Sequence, residues 1–217
     1  MWGGSYIRQT VLASSNIASY PNAITGIGDI NGDGYDDFSI GYAIGGNDIS
    51  SYTVTIYYGN QERLYTNPLV LTQTVNQITC ICKPLGDVNG DGYDDFLGYV
   101  DYLGLKLWMG NDTSLSSTPD AILNPLYFGS LSVEGVEAGD INGDGYDDVV
   151  GANAYEQRFV VWLGSVTPEG FMDWRKTSMY DDFGDDLAMG DFNGDGYADV
   201  AASAPWEDPV NPLHAIS

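Results

Sequence analysis

The stretch Asp29-Ile30-Asn31-Gly32-Asp33-Gly34-Tyr35-Asp36-Asp37 decides the fold, because its pattern, D-x-N-G-D-G-Y-x-D, returns at Asp87 to Asp95, Asp140 to Asp148 and Asp191 to Asp199. Successive copies start 58, 53 and 51 residues apart, so the 217-residue chain is a repeat protein of about four units. Each unit carries one copy of the loop.

Counting oxygens along the string shows what a loop can do. In the first copy, Asp29, Asn31, Asp33 and Asp37 offer side-chain oxygens and Tyr35 a backbone carbonyl. The same positions are Asp87, Asn89, Asp91, Tyr93 and Asp95 in the second copy, and Asp140, Asn142, Asp144, Tyr146 and Asp148 in the third. In the fourth they are Asp191, Asn193, Asp195, Tyr197 and Asp199. Hard oxygen donors at alternate residues, with Gly34 permitting the sharp turn after the third, are what Ca²⁺ asks for. Nitrogen and sulfur ligands are absent, which disfavours zinc and copper. Without a cation, carboxylates about 4 Å apart would repel by about 4 kcal/mol per pair near a protein surface. About four calcium ions are therefore expected, one ordering each loop.

Asp, Asn and Gly are also ordinary turn formers, and one N-G-D-G would mean no more than that. Here the first, third, fifth and ninth positions stay fixed in every copy, whereas the eighth drifts from Asp36, Asp94 and Asp147 to Ala198. An EF-hand opens the same way but needs a Glu at loop position twelve and flanking helices. Position twelve here is Ile40, Gly98, Gly151 and Ala202, so the closing ligand is the Asp at position nine.

The residues after each loop are short apolar runs, Phe38 to Ile40, Phe96 to Leu97, Val149 to Val150 and Val200 to Ala202, which read as buried strands. Superposing the units gives four strand candidates in each. The first leads into the loop, as in Ala23 to Gly28 and Val136 to Gly139, and the second leaves it. The third ends in Ile56-Tyr57-Tyr58-Gly59, Leu107-Trp108-Met109-Gly110 or Val161-Trp162-Leu163-Gly164. The fourth, Leu69 to Thr74, Asp120 to Leu123 or Met172 to Thr177, is more polar and suits an outer edge. The fold class is thus all-β, a β-propeller built of four-stranded antiparallel blades.

These residues resemble the FG-GAP repeats of the integrin alpha-subunit β-propeller. Phe128-Gly129 and Phe183-Gly184 match the family's Phe-Gly element, and Gly151-Ala152-Asn153 and Ser203-Ala204-Pro205 approximate its Gly-Ala-Pro. Units one and two keep the loop without a recognisable Phe-Gly, and Gly41-Tyr42-Ala43 is a looser match. The resemblance implies a loop forming the hairpin between the first two strands of a blade, the same calcium ligands as the oxygen count, and usually seven blades.

The cation-loop units span about 20–74, 75–123, 124–177 and 178–217. Trp2-Gly3-Gly4 reads as the tail of a third strand, so residues 1–19 complete a preceding blade or the last one. Leu213 to Ser217 falls where the last unit's third strand belongs. About four blades are covered, and a partial or truncated propeller is favoured over a closed four-bladed ring. Edges left open by such a cut invite pairing with another chain.

Hydrophobic residues at 43% and sixteen Tyr suffice for a core spread over several sheets. Of the 31 acidic residues, twelve are loop ligands, so four bound Ca²⁺ would bring the formal charge from -24 to -16. That residual charge argues against nucleic acid or an anionic membrane as partner. Cys80 and Cys82, two apart on one expected strand, face the same way and read as reduced core residues. No stretch has the length of a membrane span, and Met1-Trp2-Gly3-Gly4 lacks the features of a signal peptide. An extracellular or cell-surface location is inferred from the loops alone, since such modules bind calcium with Kd roughly 0.1–1 mM. Asn111-Asp112-Thr113 is a glycosylation acceptor by pattern only.

No catalytic constellation stands out. The single His, His214, has no identifiable partner, and the loop carboxylates would be held by calcium rather than free for glycoside chemistry. Tyr57, Tyr58, Trp108 and Trp162 could stack on sugars, but their spacing suits packing between blades. The expected function is a non-enzymatic, calcium-stabilised recognition or adhesion module that binds a protein or glycan through propeller-face loops. The alternative is the propeller of a carbohydrate-active protein, a lectin or polysaccharide lyase.

Overall fold

A computed structural model describes residues 19–44, 51–60, 69–73, 82–101, 104–113, 115–123, 135–153, 158–168, 174–177, 184, 186–203 and 213–216. Trp2-Gly3-Gly4, Cys80, Phe128-Gly129, Phe183 and Ala204-Pro205 lie outside them.

Four antiparallel sheets follow one another along the chain, each organised around one copy of the loop. The first contains β1 (Ser19–Gly28), β2 (Asp37–Ile44), β3 (Ser51–Tyr57) and β4 (Leu69–Gln73), hydrogen-bonded in chain order. The second contains β5 (Lys83–Gly86), β6 (Asp95–Asp101), β7 (Gly104–Trp108) and β8 (Ala121–Leu123). The third contains β9 (Val136–Gly139), β10 (Asp148–Asn153), β11 (Arg158–Trp162) and β12 (Trp174–Thr177). In the fourth, β13 (Leu187–Gly190), β14 (Asp199–Ser203) and β15 (Leu213–Ile216) pair in the same order. The innermost strands β1, β5, β9 and β13 neighbour one another in succession, so the sheets stand side by side as the blades of a partial β-propeller.

The core lies between blades, and the period-two alternation of each strand supplies two cores at once. On β11, Val160 and Trp162 pack with Leu97, Leu107 and Val149 toward the second blade, while Phe159 and Val161 pack with Leu187 and Val200 toward the fourth. On β6, Phe96 joins the junction with the first blade and Leu97 the junction with the third. Trp108 and Trp162 are fully buried, with Trp108 stacked on Phe96 at 5.8 Å, so both tryptophans are packing residues. Thr53 and Thr55 on β3 are buried as well as Val54 and Ile56, so residues 53–56 are enclosed on both faces. Cys82 is a buried free thiol that sits just ahead of β5, its Sγ 3.7 Å from the Gly98 carbonyl, and burial pushes its pKa up to about 12.

Gly98 interrupts the pairing of β6 with β7, between Leu97 and Tyr99, and a Cβ there would enter the indole of Trp108. Gly98→Ala is expected to cost about 1–3 kcal/mol by overpacking. Gly26→Ala, on β1 with open space around it, should stay within about 0.5 kcal/mol. Urea unfolding followed by tryptophan fluorescence compares the two, and equal midpoints would contradict the packing described here.

Candidate cation loops

All twenty oxygen-bearing positions expected from the sequence fall in four hairpins, each joining the first strand of a blade to its second. The hairpin forms because its own side chains satisfy its backbone. Asp29 Oδ1 accepts the Asp33 amide at 3.0 Å and Oδ2 accepts the Gly34 amide at 2.8 Å. Asn31 Oδ1 accepts the Asp33 amide at 3.0 Å, and Asp33 Oδ1 accepts the Tyr35 amide at 3.0 Å. The second loop repeats the set through Asp87, Asn89 and Asp91. Asp140, Asn142 and Asp144 do so in the third, and Asp191, Asn193 and Asp195 in the fourth. Gly34 takes φ 87°, a left-handed value that lets this turn close without a Cβ penalty.

The ninth-position aspartates differ from the others. Asp37, Asp95 and Asp148 are essentially inaccessible, at 1%, 0% and 0% exposure, beneath otherwise exposed loops. Asp95 Oδ2 accepts the Val88 amide at 2.9 Å and Oδ1 the Gly110 amide at 2.8 Å, tying the loop entrance to the end of the third strand. Asp37 does the same with Ile30 and Gly59, and Asp148 with Ile141 and Gly164. Asp199 keeps the first of these bonds, from the Phe192 amide at 3.1 Å.

Burial makes these charges costly. Desolvation pushes Asp95 up to about 7, with Asp91 and Asp87 adding to the rise and the Gly110 and Val88 amides opposing it. Asp37 is pushed up to about 6 by the same burial, helped by Asp33 and Asp29. Asp148 is raised for the same reason. Each of the first three loops therefore places an undercompensated carboxylate beneath several others.

Among the described residues, no three acidic, His or Cys side chains already converge as a ready-made metal cage. The loop oxygens are turned onto backbone amides instead. An ionised carboxylate has about four lone-pair sites, so oxygens that accept one N–H still have donor capacity. The donor set is all hard oxygen, and it fits a hard divalent cation that would supply the missing positive charge.

Neighbouring loops also interlock, and the oxygen count gave no sign of it. The Asp29 amide donates to Asp94 Oδ2 at 2.7 Å while the Asp94 amide donates to the Asp29 carbonyl at 3.2 Å. Asp87 and Asp147 repeat the exchange at 2.9 and 3.0 Å. Between the third and fourth loops the Ala198 amide donates to the Asp140 carbonyl at 2.8 Å, and a methyl stands in place of the carboxylate. Side chains at Gly28 and Gly86 would collide with Asp94 and Asp147. In the same way a Cβ at Gly32, Gly90 or Gly143 would enter the ring of Tyr93, Tyr146 or Tyr197 in the following loop. The identical Gly at loop position four and Tyr at position seven in every copy were the available signal, since neither side chain is needed to ligate.

The family model described as FG-GAP repeat matches residues 183–217, and the one described as FG-GAP-like repeat matches residues 87–151. These two segments are FG-GAP repeats. The matched segments contain the second, third and fourth loops, and the first loop, Asp29 to Asp37, carries the same string with the same hydrogen bonds. No curated protein matches the chain. FG-GAP repeats occur in extracellular adhesion and recognition proteins such as integrins. Among the described residues, no helix is long and apolar enough to cross a membrane.

Proposed function

We propose that this FG-GAP array is a calcium-stabilised, non-enzymatic recognition or adhesion module of the cell exterior, binding a protein or glycan through loops at the ends of its blades. The observation that carries the reading is the buried, undercompensated aspartate beneath each of the first three hairpins, Asp37, Asp95 and Asp148. Bound calcium would supply positive charge that binds those carboxylates in their ionised form. The first, third and fifth positions would hold the ion from the exposed side, and the ninth would fix the loop to the blade beneath. Millimolar exterior calcium suits loops of this composition.

Ligand binding belongs to the same framework. The connections from second to third strand include residues 45–50, 102–103, 154–157 and 204–212, which lie outside the described residues. A sugar-stacking surface built on Trp108 and Trp162 has no support, because both are buried between blades.

Isothermal titration of calcium into chelator-treated protein tests the cation reading. About four equivalents should bind, and each site at a free concentration one hundred times its Kd adds about 2.7 kcal/mol to stability. A flat titration together with a melting temperature indifferent to EDTA would refute it.

A further inference from the structure

The eighth loop position, which ligates nothing, reaches back to the preceding blade. Asp94 lies between Tyr93 and Asp95, two positions assigned to the second cation, and its carboxylate holds the amide of Asp29, the first ligand of the first loop. Asp147 stands in the same relation to Asp87. Ala198 has no carboxylate to offer Asp140. We infer that Asp94 and Asp147 are positioning residues that couple cation uptake by the first three loops, and that the fourth loop, joined through Ala198, fills independently. The inference rests on the calcium reading above.

The coupling has a physical route. Ordering a loop around an ion fixes the backbone on both sides of its eighth residue, and so fixes the carboxylate that orients the neighbour's first ligand. The neighbour then loses less conformational freedom when its own ion arrives. Linkage makes the benefit mutual. The bridging carboxylate also adds negative charge where two loops meet, which would offset part of the repulsion between their cations.

The amides of Gly34, Gly92, Gly145 and Gly196 each donate to the first Asp of their own loop, at 2.8, 2.8, 2.9 and 3.0 Å, so they report the loops one at a time. Calcium titration of the full chain labelled with ¹⁵N-glycine reads all four. In Asp94→Ala the midpoint of Gly34 should rise about fivefold, the low end of ordinary coupling factors, while Gly196 is unmoved. Asp94→Asn keeps an acceptor oxygen and should restore most of the difference. Ala198→Asp should draw the Gly145 and Gly196 transitions together. Four independent transitions in the unmodified chain, or an equal shift of all four glycines in Asp94→Ala, would overturn the coupling and leave the calcium reading intact. No response of any glycine would overturn both.

Discussion

Asp95→Ala is expected to remove about 3–5 kcal/mol of stability even in calcium-free buffer. The Val88 and Gly110 amides would lose their acceptor in a site with no access to water, at about 1–3 kcal/mol for each unsatisfied donor. A domain of ordinary stability has about 5–15 kcal/mol to lose, so the variant should be marginal or unfolded at body temperature. Asp33→Ala supplies the contrast. Its carboxylate is exposed and serves its own loop, so without calcium the loss should be under about 1 kcal/mol, although cation affinity should fall. Urea denaturation of both variants in chelator separates the roles. Equal midpoints would mean that the buried aspartate is no more structural than the exposed one.

The second large effect concerns pH, and its sign reverses with calcium. Asp95 and Asp37 have folded-state pKa values raised to about 7 and about 6 from an ordinary 3.8. Between those limits the folded chain binds more protons than the unfolded one, so stability of the metal-free protein falls as pH rises from about 4 to 7. A cation instead favours the ionised carboxylates and is displaced as they protonate. Metal-free protein should therefore melt several degrees higher at pH 5 than at pH 8, and calcium-loaded protein should melt higher at pH 8. Parallel melting curves for the two forms across this range would contradict the assignment of these carboxylates to both roles.

The strands were legible wherever the repeat could be superposed on itself. Val136 to Gly139 was expected as a strand and is β9, and the third strands end beside the expected aromatic residues at Tyr57, Trp108 and Trp162. The fourth strand of the second blade came out one residue shorter than read, because Asp120 is not part of β8; its carboxylate accepts the Met109 amide at 3.0 Å instead. Cys82 was read as a strand residue and lies just before one, although its burial was foreseen. Thr53 to Tyr57 showed the clearest alternation, yet Thr53 and Thr55 are as enclosed as their apolar neighbours, since polarity marks a strand's face and not what packs on it.

The loops were legible in part. Ligand chemistry can be counted along a string, and the hairpins occupy the expected positions. The bracing of each blade by Asp37, Asp95 and Asp148 was not readable, because it depends on amides 22, 15 and 16 residues away, at Gly59, Gly110 and Gly164. The eighth position was set aside as drifting, although its change from Asp94 and Asp147 to Ala198 is a change in how blades are joined.

The reach of Asp94 and Asp147 runs in one direction only, from each later hairpin back to the earlier one. Trp108 and Trp162 likewise pack backward, into the preceding blade. During synthesis a newly emerged sheet would therefore gain these contacts only once its successor had left the exit tunnel. Maturation would then advance like a zipper along the chain, with each arriving repeat serving as the fastener for the one before it.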